Sequence, residues 1–228
     1  MEKLIKILIV AFIVLAVAVA SLAIWQWKNI NSIYVGINES SEEITKRRND
    51  NQKNLVDDVN NYLEESIREM TDEEKQKIES GEITAGDVYL QIFEEKQKDA
   101  DAKKENSSTN TSVSKDDIVV KYMAKLYSLQ SKYTAKAEVT ISEGKKYYKA
   151  QRKSNDAVTA RANTISHFTP IVRGVESACD SEFESLISEL KKELSSVEAN
   201  TDIVRTISAA YKNEKQLKLS YYANKYLK

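Results

Sequence analysis

Cysteine, proline, glycine and histidine are scarce in this chain of 228 residues, which contains one Cys, one Pro, five Gly and one His. The single Cys179 excludes an intramolecular disulfide framework and a cysteine-rich metal site. One histidine, His167, cannot supply the paired Glu-x-x-His ligands of a di-metal carboxylate bundle. Scattered glycines give neither a Walker nor a dinucleotide fingerprint. We therefore expect no catalytic, cofactor-binding or metal-binding residues, and a protein that is not an enzyme.

Charge is abundant but balanced. Charged residues make up 30% of the chain, yet the formal net charge is −1, so no global field favours nucleic acid as a partner. High charge with few glycines and prolines suits long helices, because those two residues are the ones that helices tolerate least.

The N-terminus carries the longest apolar run, from Ile7 to Ile24. Eighteen helical residues span about 27 Å, close to the hydrocarbon thickness of a bilayer. Trp25 and Trp27 follow at once, as aromatic anchors at a membrane interface would. The pattern predicts an uncleaved single-pass transmembrane helix, with residues 1–28 as the membrane anchor and residues 5–27 in contact with the lipid bilayer.

Two other readings of this segment stay open. Small residues at Ala18–Ala20 offer a signal-peptidase site, although the apolar run is longer than that of a usual signal peptide and continues past the site. A buried core helix is the other alternative. If the segment is an anchor, Lys3 and Lys6 before it favour a cytoplasmic N-terminus and an extracytoplasmic body in the cell membrane.

The rest of the chain has helical periodicity. Stripes of apolar residues recur at spacings of three and four, and we expect each to face a core: Leu55, Val56, Val59, Tyr62, Leu63, Ile67 and Met70; Val88, Tyr89, Ile92 and Phe93; Val119, Tyr122, Leu126, Leu129 and Tyr133; Phe183, Leu186, Leu190, Leu194 and Val197; Ile203, Ile207, Ala210, Leu217 and Tyr221. Because each stripe is narrow, the helices must bury one another. The sequence predicts an all-α fold, an elongated antiparallel helical bundle over residues 29–228.

Several residues predict where these helices begin and end. Thr71 with Glu74, Ser114 with Asp117, and Ser181 with Glu184 have the form of capping boxes. Gly81 predicts the end of a short helix over residues 72–80, and a break is expected near Gly144.

Pro170 predicts a turn or a first helical turn. The motif EANTD, residues 198–202, predicts a further break. Residues 98–112 are almost free of apolar side chains and predict a solvated connector. Its two Asn-x-Ser/Thr triplets are interpreted as chance sequons in a polar loop.

The stretch KRR, Lys46 to Arg48, is the one candidate for binding phosphate or lipid headgroups. Acidic residues follow promptly and dilute its field, so a solvated or salt-bridged helix face is favoured. His167 is expected to be structural, although composition alone leaves a Ser–His–Asp arrangement open. The pairs Tyr147–Tyr148 and Tyr221–Tyr222 fit either a bundle seam or a partner surface.

Residues 47–62 resemble the LemA family of bacterial membrane-anchored helical proteins. That family carries a pattern close to Arg-Arg-x-Asp-Leu-Ile-Pro-Asn-Leu-Val-x-x-Val-x-x-Tyr soon after an N-terminal hydrophobic helix. The residues in register are Arg47, Arg48, Asp50, Asn54, Leu55, Val56, Val59 and Tyr62. A second stretch resembles the family's Phe-x-x-Leu-x-x-Glu-Leu through Phe183, Leu186, Glu189 and Leu190. Weaker similarity follows at Ile203, Arg205, Tyr211 and Asn213.

The chain also departs from the family. Asn51, Gln52 and Lys53 replace Leu-Ile-Pro, and residues from about 64 to 115 have no counterpart, which indicates an inserted segment, helical or disordered. The resemblance implies a single-pass membrane protein with an elongated helical bundle and no established catalytic residues. We expect an envelope scaffold or protein-interaction module, with self-association or protein partners. The alternative is an envelope sensor that transmits a signal along a helix continuous with the membrane span.

Overall fold

The computed structural model describes residues 31–105 and 113–227. In these ranges every regular element is helical, which confirms the all-α prediction. The helices are α1 (Ser41–Tyr62), α2 (Asp72–Glu79), α3 (Ala85–Glu105), α4 (Lys115–Gln151), α5 (Ala157–Ser196) and α6 (Asp202–Leu227), and residues 31–38 are also helical.

The predicted membrane anchor, residues 1–28, lies outside the described residues, and so do the two sequons. Within residues 31–105 and 113–227, none of the helices combines the length and apolar character needed to cross a bilayer. The predicted insertion at about 64–115 contains α2 and α3, and its status as an insertion stays a prediction.

The chain divides into two compact units. The first contains the described residues up to Leu55 and those from Ile207 onward, so it combines most of α1 with most of α6. The second, Val56–Thr206, contains α2 to α5 with the last turns of α1 and the first of α6. Each unit has its own buried side chains.

Two helix starts and one helix end form as the sequence predicts. Thr71 and Ser114 each accept a hydrogen bond from the backbone N–H three residues on, and the side chains of Glu74 and Asp117 accept from the capping residues' N–H groups. At the end of α2, Gly81 has φ of 75°, and the N–H groups of Gly81 and Glu82 donate to Ile78 and Lys77. This is a Schellman motif, in which glycine adopts the left-handed conformation at little cost.

The predicted break near Gly144 is wrong, because Gly144 lies inside α4. One interior glycine costs a helix only about 1 kcal/mol, and packing against α5 offsets that cost. The break comes at residues 152–156 instead. There Asp156 caps α5, accepting from the N–H groups of Val158 and Thr159 at 2.8 and 3.0 Å.

Pro170 is also inside a helix, α5, and not at a turn. An interior proline removes one backbone hydrogen bond and costs about 3 kcal/mol. The helix continues because contacts with α4 hold it on both sides of the proline, through His167 against Tyr147 and through Glu182 against Tyr133. Because α5 continues through this region, the capping box predicted at Ser181 and Glu184 is wrong, and both residues lie in the interior of the helix.

Two further predicted boundaries need correction. The helix that was expected to continue to Met70 ends at Tyr62, although the side chains of Leu63 and Ile67 beyond its end are still buried. Beyond Tyr62 a carboxylate takes the place of the backbone carbonyls that accept hydrogen bonds in a helix. The N–H groups of Glu64 and Glu65 donate to Asp116 Oδ2 at 2.9 and 3.0 Å. The predicted connector at 98–112 is helical as far as Glu105, since alanine and lysine have high helix propensity.

Helices α4 and α5 form a long antiparallel hairpin that contains much of the core of the second unit. Five predicted core residues on the two helices are no more than 2% exposed: Val119, Tyr122, Phe183, Leu190 and Leu194. Leu126 and Leu186 are only half-buried, and the prediction for Val197 is wrong, because this residue follows the end of α5 and is 37% exposed. On another face of α4, the ring of Tyr127 lies 5.7 Å from that of Tyr89 and 5.8 Å from that of Phe93 on α3. The apolar stripes of α3, α4 and α5 thus bury one another.

A repeated polar contact runs along the edge of this hairpin. The sequence KYMAK at residues 121–125 recurs as KYTAK at 132–136. The hydroxyls of Tyr122 and Tyr133 donate to Glu193 and Glu182 of α5 at 2.8 and 2.7 Å. The repeat spacing is eleven residues on α4 and eleven on α5, so the same contact forms twice.

Lysines complete each repeat. Lys121 and Lys132 form ion pairs with Glu193 and Glu182. In each repeat two lysine ammonium groups lie 4.7 to 5.2 Å from the centroid of the tyrosine ring. A cation at this distance from an aromatic face is attracted by the ring quadrupole.

In the first unit, α1 and α6 run antiparallel, and residues 31–38 approach α6 closely. The Ser220 hydroxyl donates to the carbonyl of Ser32 at 2.8 Å, and the Asn224 side chain donates to the carbonyls of Gly36 and Glu39. A Cβ atom built at Gly36 would collide with the Ser220 carbonyl oxygen and lie 2.7 Å from the Ala223 Cβ. Only glycine fits here.

We predict that Gly36→Ala lowers the free energy of unfolding by about 1–3 kcal/mol, because the added methyl group overpacks the contact with α6. Gly174→Ala is the matched control, since a Cβ at this site in α5 meets nothing within 4 Å. That change should raise stability by up to about 1 kcal/mol through helix propensity. Urea unfolding of the full chain in mild detergent, followed by circular dichroism, measures both. Equal effects of the two substitutions would contradict the close approach.

We predict that the protein loses stability at alkaline pH, because folding raises the pKa of two tyrosine hydroxyls. The hydrogen bond to Glu182, with burial, raises the pKa of Tyr133 to about 12, and burial followed by the bond to Glu193 raises the pKa of Tyr122. Because the folded chain holds both phenols in the protonated form, their contribution is complete below the unfolded pKa of about 10. It is lost as the pH rises from there through about 12.

Tyr122→Phe should reduce stability at neutral pH by about 1 kcal/mol and should flatten the alkaline decline, since one of the coupled phenols is gone. Urea unfolding across the alkaline range gives both quantities. Tyr34→Phe, at a ring that is 66% exposed, is the control and should leave the decline unchanged. A wild-type decline equal to that of Tyr122→Phe would show that this hydroxyl is not linked to folding.

Candidate functional site

The arginines of the KRR stretch are engaged by the protein's own carboxylates. Arg47 lies 2.9 Å from Glu39 and 3.4 Å from Glu43. Arg48 donates through Nε and Nη2 to a single oxygen of Glu214, at 3.1 and 2.9 Å. The interpretation of this stretch as a salt-bridged helix face is confirmed, and the basic patch that phosphate recognition would need does not form there.

Arg48 is the centre of a largely buried polar cluster in the first unit. The side chains of Arg48 and Glu214 are 15% and 12% exposed, and the guanidinium lies 5.3 Å from the centroid of the Tyr221 ring. Asn51 donates to the carbonyl of Ala210 and accepts from Asn213. Removing one partner of such a buried pair is strongly destabilising, because a charge stays buried without compensation. We interpret the cluster as fixing the register of α1 on α6.

His167 lies on an exposed part of α5 and belongs to an aromatic cluster. Its ring is stacked on Tyr147 of α4 at 4.7 Å with an interplanar angle of 3°. Phe168 meets both rings edge-on, at 5.0 and 5.8 Å. The cluster joins the two helices near their connecting turn, which is the structural role expected from the sequence.

Cys179 is half-buried in α5, close to the phenol of Tyr133. Across residues 31–105 and 113–227, histidine, cysteine, aspartate and glutamate form no cluster of three suited to a metal ion. The chemistry-bearing residues that the sequence singles out are therefore spread over separate structural contacts.

The surface of α5 contains a different feature, a line of exposed β-branched side chains. Val158, Ile165 and Val172 are 79%, 60% and 50% exposed. They are seven residues apart, so they recur after almost two helical turns and lie on one face. Ala162 and Thr169 lie between them at alternating steps of three and four. We call these five residues the α5 stripe.

The α5 stripe is separate from the face that packs on α4. That inner face contains Ala160, which is fully buried, Thr164, which is half-buried, and Phe168, whose ring lies over Gly144. Singly exposed apolar residues are ordinary on protein surfaces, whereas contiguous apolar patches mark interaction sites. A helix needs only one apolar face to join its bundle, and this part of α5 has a second one.

Exposed charges border the α5 stripe. Arg161 lies beside its first half, and Arg173 and Glu176 lie at its far end. The combination of a narrow apolar seam with charged borders is the composition of a coiled-coil contact surface. The arrangement has the chemistry of a surface for an amphipathic helix, which is apolar and charged but carries no nucleophile with an adjacent base.

The sequence signal of this surface is the seven-residue spacing of residues 158, 165 and 172. Interpreting Pro170 as a turn hides that signal, since a turn would place Val172 on a different element. The tyrosine repeat KYMAK and KYTAK is a second signal, visible as an eleven-residue spacing, and its meaning depends on the carboxylates of α5 that face it.

Several of the residues that carry the resemblance to the LemA family have structural contacts. Val56 and Val59 are buried, and the Tyr62 hydroxyl donates to the carbonyl of Asn200. Phe183 and Leu190 are buried in α5. No family model, curated protein or solved structure matches the chain.

Proposed function

We propose that the protein is a membrane-anchored, non-enzymatic helical bundle that acts as a scaffold at the cell envelope and binds a protein partner on the α5 stripe. The observation that carries the proposal is the stripe itself, three β-branched side chains at least half exposed on one face of a helix that is already packed on another face. Because burying such side chains is favourable, a partner helix would gain affinity along this line.

The anchor is supported by the sequence. The apolar run from Ile7 to Ile24, flanked by lysines and followed by two tryptophans, has the length and flanks of a single-pass span. Anchoring would hold the bundle at the bilayer, which raises the local concentration of the stripe toward partners in the same membrane.

The LemA-like assignment is supported by eight residues in register between Arg47 and Tyr62 and by their position soon after the hydrophobic run. Arg48, Val56, Val59 and Tyr62 all have structural roles in the helical body, as expected of a motif that specifies an architecture. A divergent member of this family is the assignment that we propose.

A photoreactive side chain at Ile165 or Val172, in the full chain in native membranes, tests the proposed site. We expect a discrete cross-linked adduct, because a docked partner would contact both positions. Val139 on α4 is 58% exposed and serves as the control position, at which no discrete adduct should form. Diffuse labelling of equal strength at all three positions would contradict docking on the stripe. An adduct that changes with an envelope stimulus would indicate a sensor.

We further expect the helical body to be extracytoplasmic. Added protease should then digest the body in cells whose outer barriers have been opened but whose cell membrane is intact, and a cytoplasmic marker protein should survive. Digestion of the body only after lysis of the cell membrane would reverse this orientation.

A further inference from the structure

We propose that the partner of the α5 stripe is the same face of α5 in a second copy of this chain, packed antiparallel about a two-fold axis near the C-terminal half of the stripe. This inference rests on the proposed function, because it names the occupant of the surface described there. Most homodimers use isologous interfaces, in which one patch meets itself and each contact occurs twice.

The first argument is the spacing. Val158, Ile165 and Val172 occupy one position of a heptad, and Ala162 and Thr169 occupy the other. The small side chains allow the backbone of a facing helix to approach closely, and the β-branched residues fill the space between. Such a seam is complementary to a helix with the same alternation of small and β-branched residues, and α5 itself is one.

The second argument is the placement of residues about one point of α5. Ile165 and Val172 are equally far from the midpoint between Phe168 and Thr169, and so are Arg161 and Glu176. A two-fold axis at that point therefore places Ile165 near Val172 of the second copy. The same axis places Arg161 near Glu176 of the second copy, and both pairings occur twice.

The charges also decide the direction. Glu176 follows Thr169 by seven residues and so lies on the line of the seam. A parallel pair in register would set Glu176 against Glu176 of the second copy, and like charges in contact across an interface are unfavourable. The antiparallel pair replaces that repulsion with two attractions to Arg161. An unrelated partner would have no reason to match a symmetric arrangement of this kind.

The oligomeric state of the full chain in density-matched detergent tests the proposal by analytical ultracentrifugation. We expect a concentration-dependent dimer. Ile165→Lys should raise its dissociation constant at least about tenfold, because it places two charges in the seam next to the axis. Val139→Lys is the matched control, since it puts the same charge at an exposed valine of α4, and it should leave the dimer intact. A monomer at all concentrations, or equal effects of the two substitutions, would overturn the proposal.

Charge reversal tests the direction of packing. Arg161→Glu and Glu176→Arg should each weaken the dimer, and the double variant should restore it, because the reversed pair regains its attraction. Circular dichroism confirms that each variant keeps its helix content. Failure of the double variant to restore the dimer, with helix content unchanged, would overturn the antiparallel arrangement.

The cross-linking experiment separates this inference from the proposed function. An adduct at Ile165 with twice the mass of the chain supports self-docking. An adduct with a different protein keeps the proposed docking site but overturns the second copy as its occupant. An adduct confined to a single chain overturns both.

Discussion

The register of α4 on α5 depends on two tyrosine hydroxyls that reach from α4 to carboxylates on α5. Apolar contacts alone would hold the two helices together, but narrow stripes of similar residues tolerate a slip along the helix axis. Such a slip would break the hydrogen bond between each phenol and its carboxylate. Tyr122 with Glu193 and Tyr133 with Glu182 thus fix the register. The register in turn places the connecting turn, the stack of His167 on Tyr147, and the outward direction of the α5 stripe.

In the first unit, a different set of polar side chains fixes the register of the packed helices. There a buried arginine and glutamate pair and an asparagine pair fix α1 on α6, while glycine lets residues 31–38 lie against α6. Polar residues supply specificity in both units, and apolar residues supply most of the stabilisation. This division explains why a chain with 30% charged residues can still fold into a defined bundle.

How much of this could be predicted from the sequence depends on the range of the determining contact. The caps at Thr71 and Ser114 and the left-handed Gly81 are set by residues within four positions, and the sequence predicts them correctly. Gly144 and Pro170 have strong local signals as well, yet contacts between α4 and α5 override them. The α5 stripe could have been read from its seven-residue spacing, but that its side chains are exposed depends on which face α4 covers. Likewise, Arg161, Arg173 and Glu176 can be recognised as the charged borders of the stripe only when the face that α4 covers is known.

The eleven-residue spacing of the tyrosine contact has a consequence for how this hairpin can vary. Eleven residues in three turns correspond to 3.67 residues per turn, slightly more than a straight helix and more than the 3.5 of a left-handed coiled coil. Two helices that share this period keep the same faces together without winding left-handed around each other. A hairpin of this design can lengthen or shorten by eleven residues in each arm at once, because both helices then return to nearly the same faces and the tyrosines of α4 stay opposite the carboxylates of α5.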